Sequence, residues 1–181
     1  YSSEPLRAAL VSIFNDATLS EARTRLVIPA TDIGNGGVHV FKSAYDEKFV
    51  RDPNVKVVDA VLASCSAPSY FAPARVGPYQ LSDGGLWANN PSLVAVTEAL
   101  TRLGAERSAI RLLSIGTGIG KNYYPLSKSD KKWGILNGWG ISKFISMLLN
   151  LQAATASNVT QLILEKHQSV RVNFESDLPL S

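Results

Sequence analysis

The residues best suited to chemistry lie between Leu62 and Pro91, in the run LASCSAPSYFAPARVGPYQLSDGGLWANNP. Asp83 follows a short strand-like stretch, residues 79–81, and precedes two glycines, Gly84 and Gly85. With no Cβ on either glycine, the backbone can turn sharply and leave the carboxylate unshielded. Proteins of the α/β class place their sites at the carboxyl ends of strands, so this position would present a carboxylate where a site is expected. Asp-Gly is also a common turn pair, and the tripeptide alone favours the plain turn. Ser64 and Ser66 lack the flanking glycines of a nucleophile elbow and read as packing or capping residues. His39 and His167 are the two histidines. His39 falls in a strand pattern, and His167 ends a helix, where a positive side chain suits the dipole. Asp32, close to Gly34, Gly36 and Gly37, reads as a turn residue. Gly116-Thr117-Gly118-Ile119-Gly120 has a nucleotide-loop look, but Lys121-Asn122-Tyr123-Tyr124-Pro125 does not open a helix, so a strand-terminal turn is expected. The single cysteine, Cys65, excludes an internal disulfide and a cysteine-rich zinc site. No metal or other cofactor is expected.

The elements that must position Asp83 follow from periodicity. Residues 4–15 have helical spacing, with Leu6, Leu10, Ile13 and Phe14 on one side. Residues 24–31 and 37–43 read as strands joined by DIGNGG, hence a hairpin. Residues 57–66 read as a helix ending before Pro68. Asn90 can cap a helix that has Pro91 at its first position and runs to residue 103, with Gly104 as its stop. The apolar run 110–115 reads as a strand buried on both faces. Residues 121–140 read as loop, 141–166 as a long helix, and 169–174 as a closing strand. Phe144–Leu151 is too short to span a bilayer and reads as core. Strands alternating with helices predict an α/β fold, layered helix–sheet–helix, with a mostly parallel sheet.

The chain has 181 residues, enough for one sizeable core, and 45% of them are hydrophobic, which excludes a disordered chain. A net charge of +3, with no long basic run, gives no case for nucleic acid. Lys128, Lys131 and Lys132 beside Trp133 and Trp139 suit either contact with a membrane surface or a solvated loop with its tryptophans folded inward. The first residue is Tyr1 and helical pattern begins at once, which reads as a fragment.

Several separate motifs carry a resemblance. Ala63-Ser64, Ala67-Pro68, Tyr70-Phe71 with Pro73, Ser82-Asp83-Gly84-Gly85 and Asn89-Asn90-Pro91 stand in the order and spacing of the patatin-like phospholipase family. Thr31-Asp32 with Val40-Phe41 resembles the hairpin before them, and Leu113 to Gly118 the strand and turn after them. The resemblance covers residues 24–118, and the Gly-Leu-Trp-Ala-Asn-Asn-Pro stretch looks most like bacterial members. It implies a single domain over 1–181, the C-terminal portion of a patatin-like catalytic domain. It also implies a lipid acyl hydrolase that uses a Ser-Asp dyad, with Asp83 as the base, Gly84 and Gly85 completing its motif, and a phospholipid or other acyl-lipid substrate. No G-x-S-x-G occurs in the 181 residues, so the serine is expected upstream. A cytoplasmic protein, peripheral at the membrane, is the expected setting. The alternative is a catalytically inactive lipid- or partner-binding domain of the same fold.

Overall fold

The computed structural model describes residues 1–120, 124, 133, 134 and 138–176. The chain forms two compact units, the first Tyr1–Ala88 and the second from Asn89 onward.

The first unit opens with helix α1 (Glu4–Phe14), followed by the hairpin strands β1 (Val27–Asp32) and β2 (Gly37–Lys42). Asp32 holds the hairpin turn. Its Oδ1 accepts the N–H groups of Gly34 (3.0 Å) and Asn35 (3.2 Å), as a turn-forming aspartate does. Helix α2 (Val57–Ser64) follows, then β3 (Ala74–Val76), β4 (Tyr79–Asp83) and the short α3 (Gly85–Ala88). The four strands form one sheet in the order β2-β1-β4-β3, every pair antiparallel.

This sheet corrects the expectation of a mostly parallel one. Short turns join β1 to β2 and β3 to β4, and a short turn enforces antiparallel pairing, whereas a parallel pair needs a long crossover. Helix α2 covers one face. Its Val57, Ala60 and Ala63 pack with Leu19, Ala30, Phe41 and Leu81. The two alanines on α2 leave room for the helix to approach Ala30 and Phe41 closely. Burying Phe41 alone is worth about 1.5–3 kcal/mol.

In the second unit, α4 (Ser92–Thr101) leads to β5 (Leu112–Ile115) and the short β6 (Ile119–Gly120). The long α5 (Ile141–Ile163) is followed by β7 (Ser169–Val172) and β8 (Glu175–Ser176). Here parallel pairing does occur, β5 with β7 and β6 with β8, because α5 supplies the crossover. The expectation that run 110–115 is buried on both faces is corrected: Leu113 is 64% and Ile115 72% exposed, so β5 is covered on one face only. The core assignment of Phe144–Leu151 is corrected likewise. Leu151 is 56% exposed, while the small Ala156 and Thr160 are the buried residues of α5. Most of the expected loop 121–140 lies outside the described residues, including Lys128, Lys131 and Lys132. Trp133 and Trp139 pack edge-on against Tyr124 and each other, and Trp133 remains 43% exposed.

Candidate active site

Asp83 is the last residue of β4, and the reason the strand ends there is chemical. Asp83 pairs with Ala30 of β1, and the next residue along β1 is Pro29. Proline has no N–H to extend a ladder. Its carbonyl accepts the Ser64 hydroxyl instead, at 2.6 Å. Gly84 then lies directly against Pro29, where a Cβ would overlap the Pro29 carbonyl. Glycine is required here by close approach.

The turn is tied on every side. The Asp83 amide donates to Ser66 O at 3.0 Å and the Gly84 amide to Ser64 O at 3.2 Å. Thr31 Oγ1 donates to the Asp83 carbonyl at 2.7 Å. The Gly85 amide donates to Asp83 Oδ1 at 2.6 Å, and the chain continues into α3. Trp87 on that helix reaches back to Ala30 O through its indole N–H, at 2.9 Å. Among the described residues, no group donates to Asp83 Oδ2. The carboxyl group is part-buried, and burial pushes its pKa above the ordinary carboxylate value, the Gly85 amide opposing the shift. A carboxylate with one oxygen fixed, the other unengaged and its basicity raised is equipped to take a proton.

The neighbouring groups are now placed. The Ser64 and Ser66 hydroxyls donate to the carbonyls of Pro29 and Leu62, and Ser82 donates to Ser66 O. All three serve the backbone. Cys65 is exposed and lies between Ser64 and Ser66, whose carbonyls accept the Gly84 and Asp83 amides; its thiol is pushed up by partial burial and then by the Asp83 charge. Periodicity carried no signal for that proximity, nor for the anchoring by Thr31 and Trp87, because each depends on pairing between distant segments.

His39 pairs with Ala30 from the other side, so His39, Ala30 and Asp83 form one row across the sheet. Two strand spacings put His39 about 10 Å from Asp83, out of hydrogen-bond reach. His39 is 2% exposed, sits edge-on to Phe41 and Tyr79, and its Nε2 has no hydrogen-bond partner among the described residues. Burial, then the nearby Arg51, lowers its pKa and favours the neutral ring. His167 is exposed and lies 3.5 Å from Glu165. Among the described residues, no group of His, Cys, Asp and Glu has the geometry of a metal site. No helix among them is long and apolar enough to cross a membrane.

Comparison with known proteins adds three findings. The family model for patatin-like phospholipases matches residues 1–96. A cGAMP-activated phospholipase of Vibrio cholerae is 33% identical over 99% of this chain and 54% of its own length. Proteins of the same description from Escherichia coli and Pseudomonas aeruginosa are 34% and 35% identical, over 79% and 65% of this chain and 43% and 35% of theirs. The chain therefore spans about half the length, or less, of these curated relatives.

Proposed function

Because the chain belongs to the patatin-like phospholipase family, we propose that the full protein hydrolyses acyl esters of phospholipids by a Ser-Asp dyad in which Asp83 is the base. The observation that carries this reading is the Asp83 carboxylate, with Oδ1 held by Gly85 and Oδ2 unengaged among the described residues. The serine belongs to sequence upstream of these 181 residues. In the first half-reaction Asp83 Oδ2 takes the hydroxyl proton as the serine oxygen attacks the ester carbonyl. The tetrahedral adduct then collapses, and Asp83 passes that proton to the departing alcohol. Water repeats the sequence on the acyl-enzyme: Asp83 accepts its proton and returns it to the serine oxygen as the fatty acid leaves. Gly84 lets the turn lie close against Pro29, and the Gly85 amide holds the Asp83 carboxylate.

Asp83→Asn in the full protein tests this. Loss of a general base costs about 10²–10⁴-fold in turnover, measured on a nitrophenyl acyl ester. Turnover within about threefold of wild type would remove Asp83 from the mechanism. Its raised pKa also places the acid limb of the kcat/KM profile above the ordinary carboxylate range of about 3.9. The setting that suits this chemistry is the cytoplasmic face of a membrane. Regulation is part of the reading too. Three relatives are described as cGAMP-activated, and a cyclic dinucleotide is accordingly expected to raise turnover. Equal rates with and without cGAMP would reject that part alone.

A further inference from the structure

In open α/β sheets, ligands bind at the carboxyl ends of parallel strands. The second unit has one four-residue parallel pair, β5 with β7, and a cavity of about 260 Å³ lies at its carboxyl end. The turn 116–118 follows β5 and Asn173 follows β7, and the two are tied together. The Gly118 amide donates to Asn173 Oδ1 at 3.0 Å and the Gly116 amide to Val172 O at 2.9 Å. A Cβ at Gly116 would overlap the Asn173 side chain, so the turn closes this tightly only with glycine there. Arg171 enters the cavity wall from β7. One of its five donors is spent on Ser114 Oγ at 2.7 Å, and Ser92 Oγ lies 2.9 Å from the same oxygen. That bond anchors the guanidinium in place. Across from the strands, α5 contributes Asn150 and Asn158.

The lining among the described residues is thus one guanidinium, several carboxamides and hydroxyls, two alanines, and no carboxylate. Polar groups make up about half of the lining, and Arg171 is its one charged side chain among the described residues. A fixed guanidinium surrounded by neutral donors suits one tetrahedral oxyanion with a polar substituent. The volume falls just below the usual small-molecule range of about 300–1,000 Å³, which limits the occupant to a phosphate with a few-atom polar body. We propose that this cavity is a phosphoester-binding site anchored by Arg171, with Asn158 on its rim. It takes either the phosphoglycerol portion of a lipid headgroup or the same group on a free solute. The site goes beyond the hydrolase reading, and only its headgroup branch rests on that reading.

Glycerol 3-phosphate, titrated calorimetrically into the full protein, is the probe. The expected result is saturable one-to-one binding, weakened about tenfold or more by Asn158→Asp, which sets a carboxylate beside the anion. Asn158→Gln keeps the charge neutral and should retain binding. Because Asn158 is exposed on a helix, neither change threatens the fold as loss of Arg171 would. Absence of saturable binding, equal binding by Asn158→Asp, or equally tight binding of acetate would overturn the assignment. The two sources separate on phosphatidylglycerol vesicles. If the occupant is a headgroup, Asn158→Asp raises KM there; if it is a free solute, glycerol 3-phosphate binding falls while KM on vesicles holds. Hydrolysis of a nitrophenyl ester reports on the hydrolase reading alone. A protein that cleaves the ester but ignores glycerol 3-phosphate loses this proposal and keeps that reading, and the reverse result does the opposite.

Discussion

Replacing Gly84 by alanine is a severe test of the geometry around Asp83. The added Cβ would overlap the carbonyl carbon and oxygen of Pro29 and crowd the Pro29 ring. That carbonyl already accepts the Ser64 hydroxyl at 2.6 Å, and the Gly84 amide donates to Ser64 O at 3.2 Å. The methyl group must therefore push β1 away from the turn. Forcing a methyl into packed surroundings costs about 1–3 kcal/mol, and losing the Ser64–Pro29 bond about 0.5–1.5 kcal/mol more. A total of about 1.5–4.5 kcal/mol, at about 2–4 °C per kcal/mol for a chain of this size, lowers Tm by about 3–18 °C. Thermal unfolding followed by far-UV circular dichroism measures this directly. Gly36→Ala is the control. Gly36 has φ +68° with open space around its missing Cβ, so only backbone strain of about 1 kcal/mol is expected. Should Gly84→Ala melt no lower than Gly36→Ala, the close approach to Pro29 is wrong, and with it the account of why β4 ends at Asp83.

The other predictions concern protons and lipid. Because the folded pKa of Asp83 is raised, its contribution to stability is full below the unfolded carboxyl pKa of about 3.9 and is lost as pH rises through the folded value. Asp83→Asn should therefore melt above wild type at neutral pH and converge with it on acidification; a pH-independent difference in Tm would refute the raised pKa. His39 has the opposite sign. Its pKa is lowered, so stability is full above about 6.5 and is lost as pH falls toward the folded value. His39→Phe removes the orphaned Nε2 and should flatten that part of the Tm–pH curve, and an unchanged slope would show that other groups set it. Trp133→Ala with Trp139→Ala should weaken liposome binding while sparing hydrolysis of a soluble ester. Equal loss of both would mark the aromatic cluster around Tyr124 as structural.

What the sequence made legible was local. The hairpin appeared because Asp32 and its glycines encode the turn chemically, and the structure finds the carboxylate on the Gly34 and Asn35 amides. Asn90 read as the helix cap with Pro91 first in the helix; instead the helix begins at Ser92 with Pro91 at the cap position, and Asn90, one residue earlier, accepts the Ser92 amide (3.2 Å) and hydroxyl (2.6 Å) on Oδ1. Sheet direction was not legible, since strand patterns say nothing about partners, and the order β2-β1-β4-β3 inserts β4 beside a strand far from it in sequence. Burial of β5 was misread because an apolar run reports the affinity of a strand for cover and not how much cover it has: Leu113 and Ile115 stay exposed. At the candidate site, Asp83 with its glycines stood out by resemblance. The supports from Thr31, Ser64 and Trp87 stayed hidden, being long-range hydrogen bonds between side chains and backbone.

The pairing of Ala30 with Asp83 has a kinetic consequence. The hairpin of β1 and β2 closes across a few residues and belongs to the fast, local events of folding. The Thr31–Asp83 bond, by contrast, spans 52 residues of chain. Its closure entropy must be met before any contact within it compensates. Asp83 is therefore expected to acquire its environment after the β1–β2 hairpin forms, when β4 docks beside β1. Refolding of the full protein from denaturant should show hairpin amides protected from hydrogen exchange first and esterase activity returning later, on the timescale of β1–β4 docking.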